Sequence, residues 1–274
     1  EQVDRFYGQG WLEGVDSLLP NQFVTLYDEA NQNHTGIGRF NAENNRILPL
    51  RKGGKDGIWS ITSRNREQSF AIDILLDDSI KLVTLVGKAG TGKTLLAIAA
   101  GLHKVAEENV YNRLLVSRPV FPMGKDIGFL PGDIEEKLAP WMQPIFDNVE
   151  LLLSGHEAEK RHSKGYKELI AMGIMEIEPL TYIRGRSIPN QFMIVDEAQN
   201  LTPHEIKTII TRAGEGTKVI LTGDPYQIDN PYVDASSNGL TYLVERLKGL
   251  NITGHVTMMK GERSELAELA ANLL

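Results

Sequence analysis

KLVTLVGKAGTGKTLLAIAAGLHKVAEE, residues 81 to 108, decides the fold. KLVTLV (81 to 86) is apolar enough for a buried strand, and LLAIAAGLHKVAEE (95 to 108) reads as a helix. Between them, GKAGTGKT (87 to 94) sets Gly87, four residues, then Gly92, Lys93 and Thr94, the Walker A spacing in the strand-loop-helix setting it requires. The glycines let the backbone curl so that successive N–H groups face a phosphate, and the helix N-terminus adds its partial positive charge. The expected cradle is Gly87, Lys88, Ala89, Gly90, Thr91, Gly92, Lys93, Thr94 and Leu95. Lys93 is expected on the β and γ phosphates of ATP, and the Thr94 hydroxyl on Mg²⁺. A glycine-rich turn capping an ordinary helix is the simpler alternative; the flanking strand and helix weigh against it.

From residue 66 onward the same alternation continues. REQSFAIDILLDD (66 to 78) has helical spacing, and apolar runs recur at LLVS (114 to 117), MEIE (175 to 178), FMIVD (192 to 196), KVILT (218 to 222) and HVTMM (255 to 259). Strands alternating with helices imply βαβ crossovers, hence a mostly parallel sheet with helices on both faces. Near-continuous hydrophobicity within the strands fits burial on both sides. Residues 1 to 58 differ: short apolar runs such as FVTLY (23 to 27), with NQNH and TGIG as hairpin turns and RKGGKDG (51 to 57) as an exposed linker. The expected organisation is an α/β P-loop NTPase domain over 59 to 274, preceded by a small β-rich unit over 1 to 58. RPVFPMGKDIGFLPGDIEEKLAPWMQP (118 to 144), rich in Gly and Pro, is expected to be a long irregular functional loop.

FMIVDEAQ (192 to 199) is an apolar strand ending in Asp196 and Glu197, the Walker B arrangement. Asp196 is expected in the Mg²⁺ shell, and Glu197 as the general base that polarises water. Acidic residues complementing a helix dipole would explain the carboxylates alone; the upstream Walker A loop favours the catalytic reading. KVILTGDPYQID (218 to 229) is another strand breaking into a polar turn. Because ligands in open α/β sheets sit beyond the strands' carboxyl ends, Thr222, Asp224 and Gln227 should face the crevice of Lys93, with Gln227 sensing the γ-phosphate or orienting water; a solvated turn rich in Gly, Asp and Pro is the alternative, which spacing alone favours. Arg263, at a turn after HVTMM, is a candidate for the γ-phosphate, with capping and solvation as its alternative. Arg184 and Arg186 in RGR precede the Walker B strand and are candidates for polynucleotide phosphates, against a solvated basic turn. Gln68 can pair with N6 and N7 of adenine, with Arg64 or Asn65 beside it; a surface residue at a helix start is the alternative.

The chain has 274 residues, 41% hydrophobic and 24% charged, room for one large domain or one plus a small one. It carries no cysteine, which excludes disulfides, thiolate metal sites and cysteine nucleophiles. Its six histidines show no metal-ligand spacing. A net charge of -7 argues against a globally basic nucleic-acid binder and confines any polyanion site to a local patch. No apolar stretch approaches the ~20 residues of a membrane span and no signal-peptide pattern opens the chain, so a cytoplasmic location is expected. The first residue is Glu1, from which an N-terminal portion is expected to be missing.

GKAGTGKTLLA, SRP (117 to 119), GKDIGFLPG (124 to 132), IRGRSIPNQFMIVDEAQN (183 to 200), TRAGEGTKVILTGDPYQID (211 to 229) and KGERSELAELA (260 to 270) together resemble the PhoH family of ATPases over residues 58 to 274. GWLEGVD and LLPNQFVTLYDEAN resemble the segment that joins a PIN nuclease domain to the PhoH domain in two-domain members. The resemblance implies a RecA-like ATPase core related to the first lobe of superfamily 1 helicases, acting on RNA, single-stranded by expectation, in hexameric rings. It assigns Lys93, Thr94, Asp196, Glu197 and Gln227 to the nucleotide, Gln68 to adenine and Arg263 to an arginine finger, with Arg118, Arg184 and Arg186 as candidate RNA contacts. Length gives a separate argument for assembly: one α/β lobe lacks an opposing surface to deliver an arginine, and a neighbour in a closed head-to-tail ring would supply it.

Three readings follow: an ATP-driven RNA remodeller or helicase, an ATP-gated scaffold for an attached PIN-type ribonuclease with slow hydrolysis, and a small-molecule kinase. The kinase is disfavoured because Glu197 directly after Asp196 suits water activation better than phosphoryl transfer to a metabolite.

Overall fold

The structure is a computed structural model, described here for residues 2–29, 31, 34–51, 57–120, 134–156, 165–183 and 185–261, with side chains of 134–139 left aside. Two sheets organise it. The first contains β1 (Leu12–Glu13), β2 (Phe23–Tyr27), β3 (Thr35–Asn41) and β4 (Arg46–Pro49), antiparallel in the order β1-β4-β3-β2, with α1 (Gln2–Gln9) laid against it. TGIG is not a turn: its residues form the start of β3. The glycines serve close approach, since a Cβ on Gly38 would stand 2.6 Å from Ile47 and 3.1 Å from the Phe6 ring of α1. Phe6, Leu12, Phe40 and Ile47 make this unit's core.

The second sheet is six-stranded and wholly parallel: β5 (Leu82–Gly87), β6 (Arg113–Arg118), β7 (Met175–Pro179), β8 (Gln191–Val195), β9 (Lys218–Gly223) and β10 (Thr253–Met258) in the order β10-β5-β9-β8-β6-β7. Each apolar run from KLVTLV onward that reads as a strand lies in one of these elements, overrunning it by no more than one residue. Period-two alternation sends Val83, Leu85, Leu114, Val116, Phe192, Ile194 and Ile220 to one core, against α2 (Arg66–Leu76), α3 (Lys93–Leu102) and α4 (Ile134–His156). Leu115, Met193, Val195, Val219 and Leu221 go to the other, with α6 (Pro203–Ile210) and α7 (Gly239–Leu247). A short α5 (Tyr166–Ala171) leads into β7. Burial on both faces explains why the strands read as unbroken hydrophobic runs.

The expected irregular stretch 118 to 144 is corrected in its last part, because α4 begins at Ile134 and runs through Pro140 and Pro144. Each proline removes a helical N–H, yet Met142, Ile145, Val149, Leu152 and Leu153 recur at helical spacing and are all buried, so packing prevails over propensity. Residues 121 to 133 lie outside the described residues. So do 52 to 56 of the expected linker, while Arg51 is not merely solvated: its N–H donates to Asp73 at 2.6 Å and its guanidinium meets Asp77 at 3.3 Å. Among the described residues no helix is long and apolar enough to cross a membrane.

Candidate nucleotide site

The strand order positions the site. β9 sits between β5 and β8, so the turn after β9 emerges between the loop that follows β5 and the acidic pair that follows β8. At these three carboxyl ends lies a cleft of about 220 Å³ lined by Ala89, Gly90, Gly92, Lys93, Thr94, Leu95, Asn148, Asp196, Glu197, Gly223, Asp224 and Gln227. Residues separated by up to 138 positions in the chain (Ala89 to Gln227) meet there.

Gly92 adopts φ +91° as it caps α3, a conformation that side-chain-bearing residues rarely take, and a Cβ there would stand 3.1 Å from Gln68 Nε2. Lys93 Nζ donates to the carbonyls of Gly87 at 2.7 Å and Lys88 at 2.9 Å, so the ammonium is folded into the loop it belongs to. Ala89 N–H donates to Asp224 Oδ2 at 3.1 Å, tying the loop to the turn after β9. Asp196 Oδ1 accepts from Thr94 Oγ1 at 2.8 Å and from Thr222 Oγ1 at 2.5 Å, which fixes the carboxylate at the strand tip. A hydroxyl and a carboxylate brought together are hard oxygen donors of the kind Mg²⁺ takes in small number beside phosphate oxygens, so these residues fit a Mg²⁺-nucleotide.

Glu197 has φ +54°, a left-handed backbone that costs a residue with a side chain on the order of 1 kcal/mol and turns the chain sharply after Asp196. Its Oε1 accepts from Arg118 Nη2 at 3.1 Å and its Oε2 from Gln199 Nε2 at 2.5 Å. Burial first, then the neighbouring Asp196 charge, pushes the Glu197 carboxyl above its ordinary pKa, opposed by Gln199, Arg118 and Lys93. Gln199 is fully buried, donates also to the Gln227 carbonyl at 2.8 Å and accepts from Asp224 N–H at 3.1 Å. It therefore links the Walker B turn to the turn after β9. Sequence reading gave Gln199 no role, although it sits within the quoted FMIVDEAQ; Asn148 was missed because it arrives on α4.

Gln68 is brought to the loop: its Nε2 donates to the Thr91 carbonyl at 3.1 Å and its Oε1 accepts from Arg64 N–H at 2.9 Å. Asn65 caps α2 by accepting from Gln68 N–H. Gln68 is itself 5% exposed, and neither it nor Arg64 or Asn65 is among the residues that line the cleft. Arg186 lies away from the cleft lining, with Nη1 on Glu178 Oε1 at 2.8 Å and Oε2 at 3.0 Å. Arg184 and Arg263 lie outside the described residues.

A Walker A loop, a Walker B strand and a third strand inserted between them define a P-loop NTPase. The chain belongs to the PhoH-like protein family, whose model matches residues 60–272. Protein PhoH2 of Bacillus subtilis (strain 168) is 50% identical over 273 residues, covering 98% of this chain and 61% of that protein. Protein PhoH2 of Mycolicibacterium smegmatis is 38% identical over 274 residues, covering 96% and 60%. The chain thus spans about 60% of the length of these curated relatives. Among solved structures, the Pif1 helicase of Candida albicans overlaps 78% of this chain and 44% of that one at 14% identity and a TM-score of 0.38.

Proposed function

We propose that this chain hydrolyses ATP with Mg²⁺ and couples hydrolysis to binding and remodelling RNA. The observation that carries the reading is the convergence of Lys93, Thr94, Asp196, Glu197, Asp224 and Gln227 on one cleft at three strand ends. Lys93 would exchange its two carbonyl partners for phosphate oxygens, a charge-assisted replacement. Thr94 and Asp196 would hold Mg²⁺, which when bound neutralises charge on the β and γ phosphates. Glu197, set beside Asp196 at the strand end and lining the same cleft, accepts a proton from water as general base. Gln227 orients that water, held in place through its carbonyl by Gln199. Gln68, with Arg64 and Asn65 beside it, reads adenine.

The finer assignments are an ATPase domain over 59 to 274 after the β-rich unit, read from the strand–helix alternation; a hexameric ring in which Arg263 acts on the neighbour's ATP, drawn from the family resemblance and from the length of a single lobe; and, from the resemblance, single-stranded RNA as partner and an attached PIN nuclease. ATP turnover with and without single-stranded RNA, at low and moderate salt, tests the core of it, with E197Q as control. RNA stimulation abolished by E197Q is the expected result; no turnover in the assembled wild type would refute the assignment. The ATP-gated scaffold with slow hydrolysis draws support from Arg186 and Arg118, both engaged with carboxylates. Turnover indifferent to RNA would favour it.

A further inference from the structure

The base-to-be Glu197 is restrained on both oxygens, and the two restraints differ in kind. Gln199 is fully buried and anchored at both ends of its amide, so it belongs to the frame of the site. Arg118 stands at the carboxyl end of β6, next to β8 in the sheet, with its side chain 19% exposed and that of Glu197 32% exposed. Its other hydrogen bond among the described residues is long, Nη1 to the Trp141 carbonyl of α4 at 3.4 Å. An arginine that, among the described residues, is held by one carboxylate bond and one weak carbonyl bond, and that keeps part of its surface exposed, can be drawn off by a better ligand. Its planar fork of N–H donors matches a phosphate diester in two-point fashion, and carboxyl ends of parallel strands are where α/β sheets receive ligands.

We propose that Arg118 is a positioning residue that holds Glu197 out of use in the absence of polynucleotide, and that an RNA backbone phosphate competes for its guanidinium and so releases Glu197 toward water. The proposal rests on the ATPase reading above and adds the route by which RNA would reach the hydrolytic centre. It also gives Arg118 two partners in succession, carboxylate and then phosphate, where the resemblance named only the second.

The test compares wild type, R118Q and R118K in basal turnover, RNA-stimulated turnover, fluorescent-ADP binding and RNA binding across salt. R118Q is expected to raise basal turnover about tenfold, bring the stimulated-to-basal ratio near one, and lower the salt slope of RNA binding by about one, as removal of a single phosphate contact does. R118K, which keeps a charge without the fork, should fall between. Unchanged fluorescent-ADP binding shows that the cleft is intact, and a rise in basal rate is something mere damage does not produce. Basal turnover that falls or stays level in R118Q, with stimulation retained, overturns the proposal. A raised basal rate with undiminished RNA stimulation also overturns it, since the competitor would then be a nucleotide phosphate or a neighbouring subunit. Silence of wild type and R118Q alike, with and without RNA, refutes the ATPase reading on which this proposal rests; a wild type silent without RNA but active with it, beside an R118Q active in both conditions and abolished again by E197Q, supports both.

Discussion

The nucleotide cleft and the seam between the β-rich unit and α2 both withdraw charged side chains from water, and they do so on opposite principles. In the cleft, Lys93 is held by two backbone carbonyls and Glu197 by a buried glutamine and by Arg118, whose side chain keeps 19% of its surface exposed; the carbonyls and the arginine are partners that a ligand can replace. At the seam, Arg39 of β3 pairs through Nε with Asp73 at 2.6 Å, through a second nitrogen with Asp77, and through the third with Asn21. Side chains there are 11% exposed for Arg39, 1% for Asp73 and 6% for Asp77, and Phe23 stacks on Phe70 at 4.3 Å beside them. Lys218, wholly buried, donates to the carbonyls of Ile74 and Asp77 at 2.7 Å each and closes the end of α2; burial pulls its pKa down to about 7. A charged group set to exchange ligands keeps replaceable partners; one set to hold two units together has none to spare.

The largest effect expected is on chemistry alone. E197Q keeps the volume of the side chain and loses the base, so ATP turnover should drop about 10²- to 10⁴-fold, the usual contribution of general base catalysis, with the melting temperature unchanged. If E197Q unfolded the protein instead, the cleft would be structural and the contrast would fail. Its counterpart is R39A, which takes the buried cation from Asp73 and Asp77 and leaves them the more exposed Arg51 and the Ser79 hydrogen bonds. Denaturant unfolding should show a loss of about 3–5 kcal/mol, while fluorescent-ADP binding by the folded fraction stays near wild type.

Acid sharpens the seam further, because its two carboxylates carry opposite signs. Burial works to raise the Asp77 carboxyl, but hydrogen bonds from Ser79 and the Arg39 guanidinium outweigh it and hold the pKa at about 2. Its unfolded value is about 3.9, so Asp77 contributes stability that is complete above that pH and is lost as pH falls toward 2. Asp73 has its pKa raised, chiefly by burial, so protonation suits its folded form and its own contribution runs the other way. D77N should therefore flatten the loss of thermal stability between pH 4 and pH 2, measured by circular dichroism, relative to wild type; an equally steep loss would show that acid acts elsewhere.

These two regions were unequally legible in the sequence. The cleft was read from local patterns: a glycine-lysine-threonine loop between strand and helix, and an acidic pair after an apolar run. Period-two burial in a sheet covered on both faces leaves its mark on every strand, which is why all six could be placed. What escaped were the particular side-chain pairings made across the chain. Arg118 and Glu197 are 79 residues apart, Arg39 and Asp73 are 34 apart, and no spacing rule links either pair. Prolines at 140 and 144 argued locally against the helix that buried Met142, Ile145 and Val149 secure. Gly36 and Gly38 looked like turn signals and instead admit Phe6 against β3. In each case tertiary packing supplied the deciding energy.

The smallest predicted effect asks whether the two regions communicate. Asn21, at φ +61°, donates through Nδ2 to the carbonyls of Asn251 and Thr253 at 2.8 Å each, and so fastens the β-rich unit to the start of β10. β10 pairs with β5 in a register that ends at Met258 opposite Gly87, the first residue of the phosphate loop. Asp tolerates the left-handed backbone nearly as well as Asn does, so N21D removes the donors without adding backbone strain. Both carbonyls lie at or near the surface and can turn to water, which limits the loss to about 1 kcal/mol. ATP turnover should be unaffected, because β10 is also held along its whole length by β5 and no side chain of the seam lines the cleft. A fall in turnover without a matching fall in stability would mean that the strap on β10 is felt at Gly87, and the seam would then have to be counted as part of the nucleotide machinery.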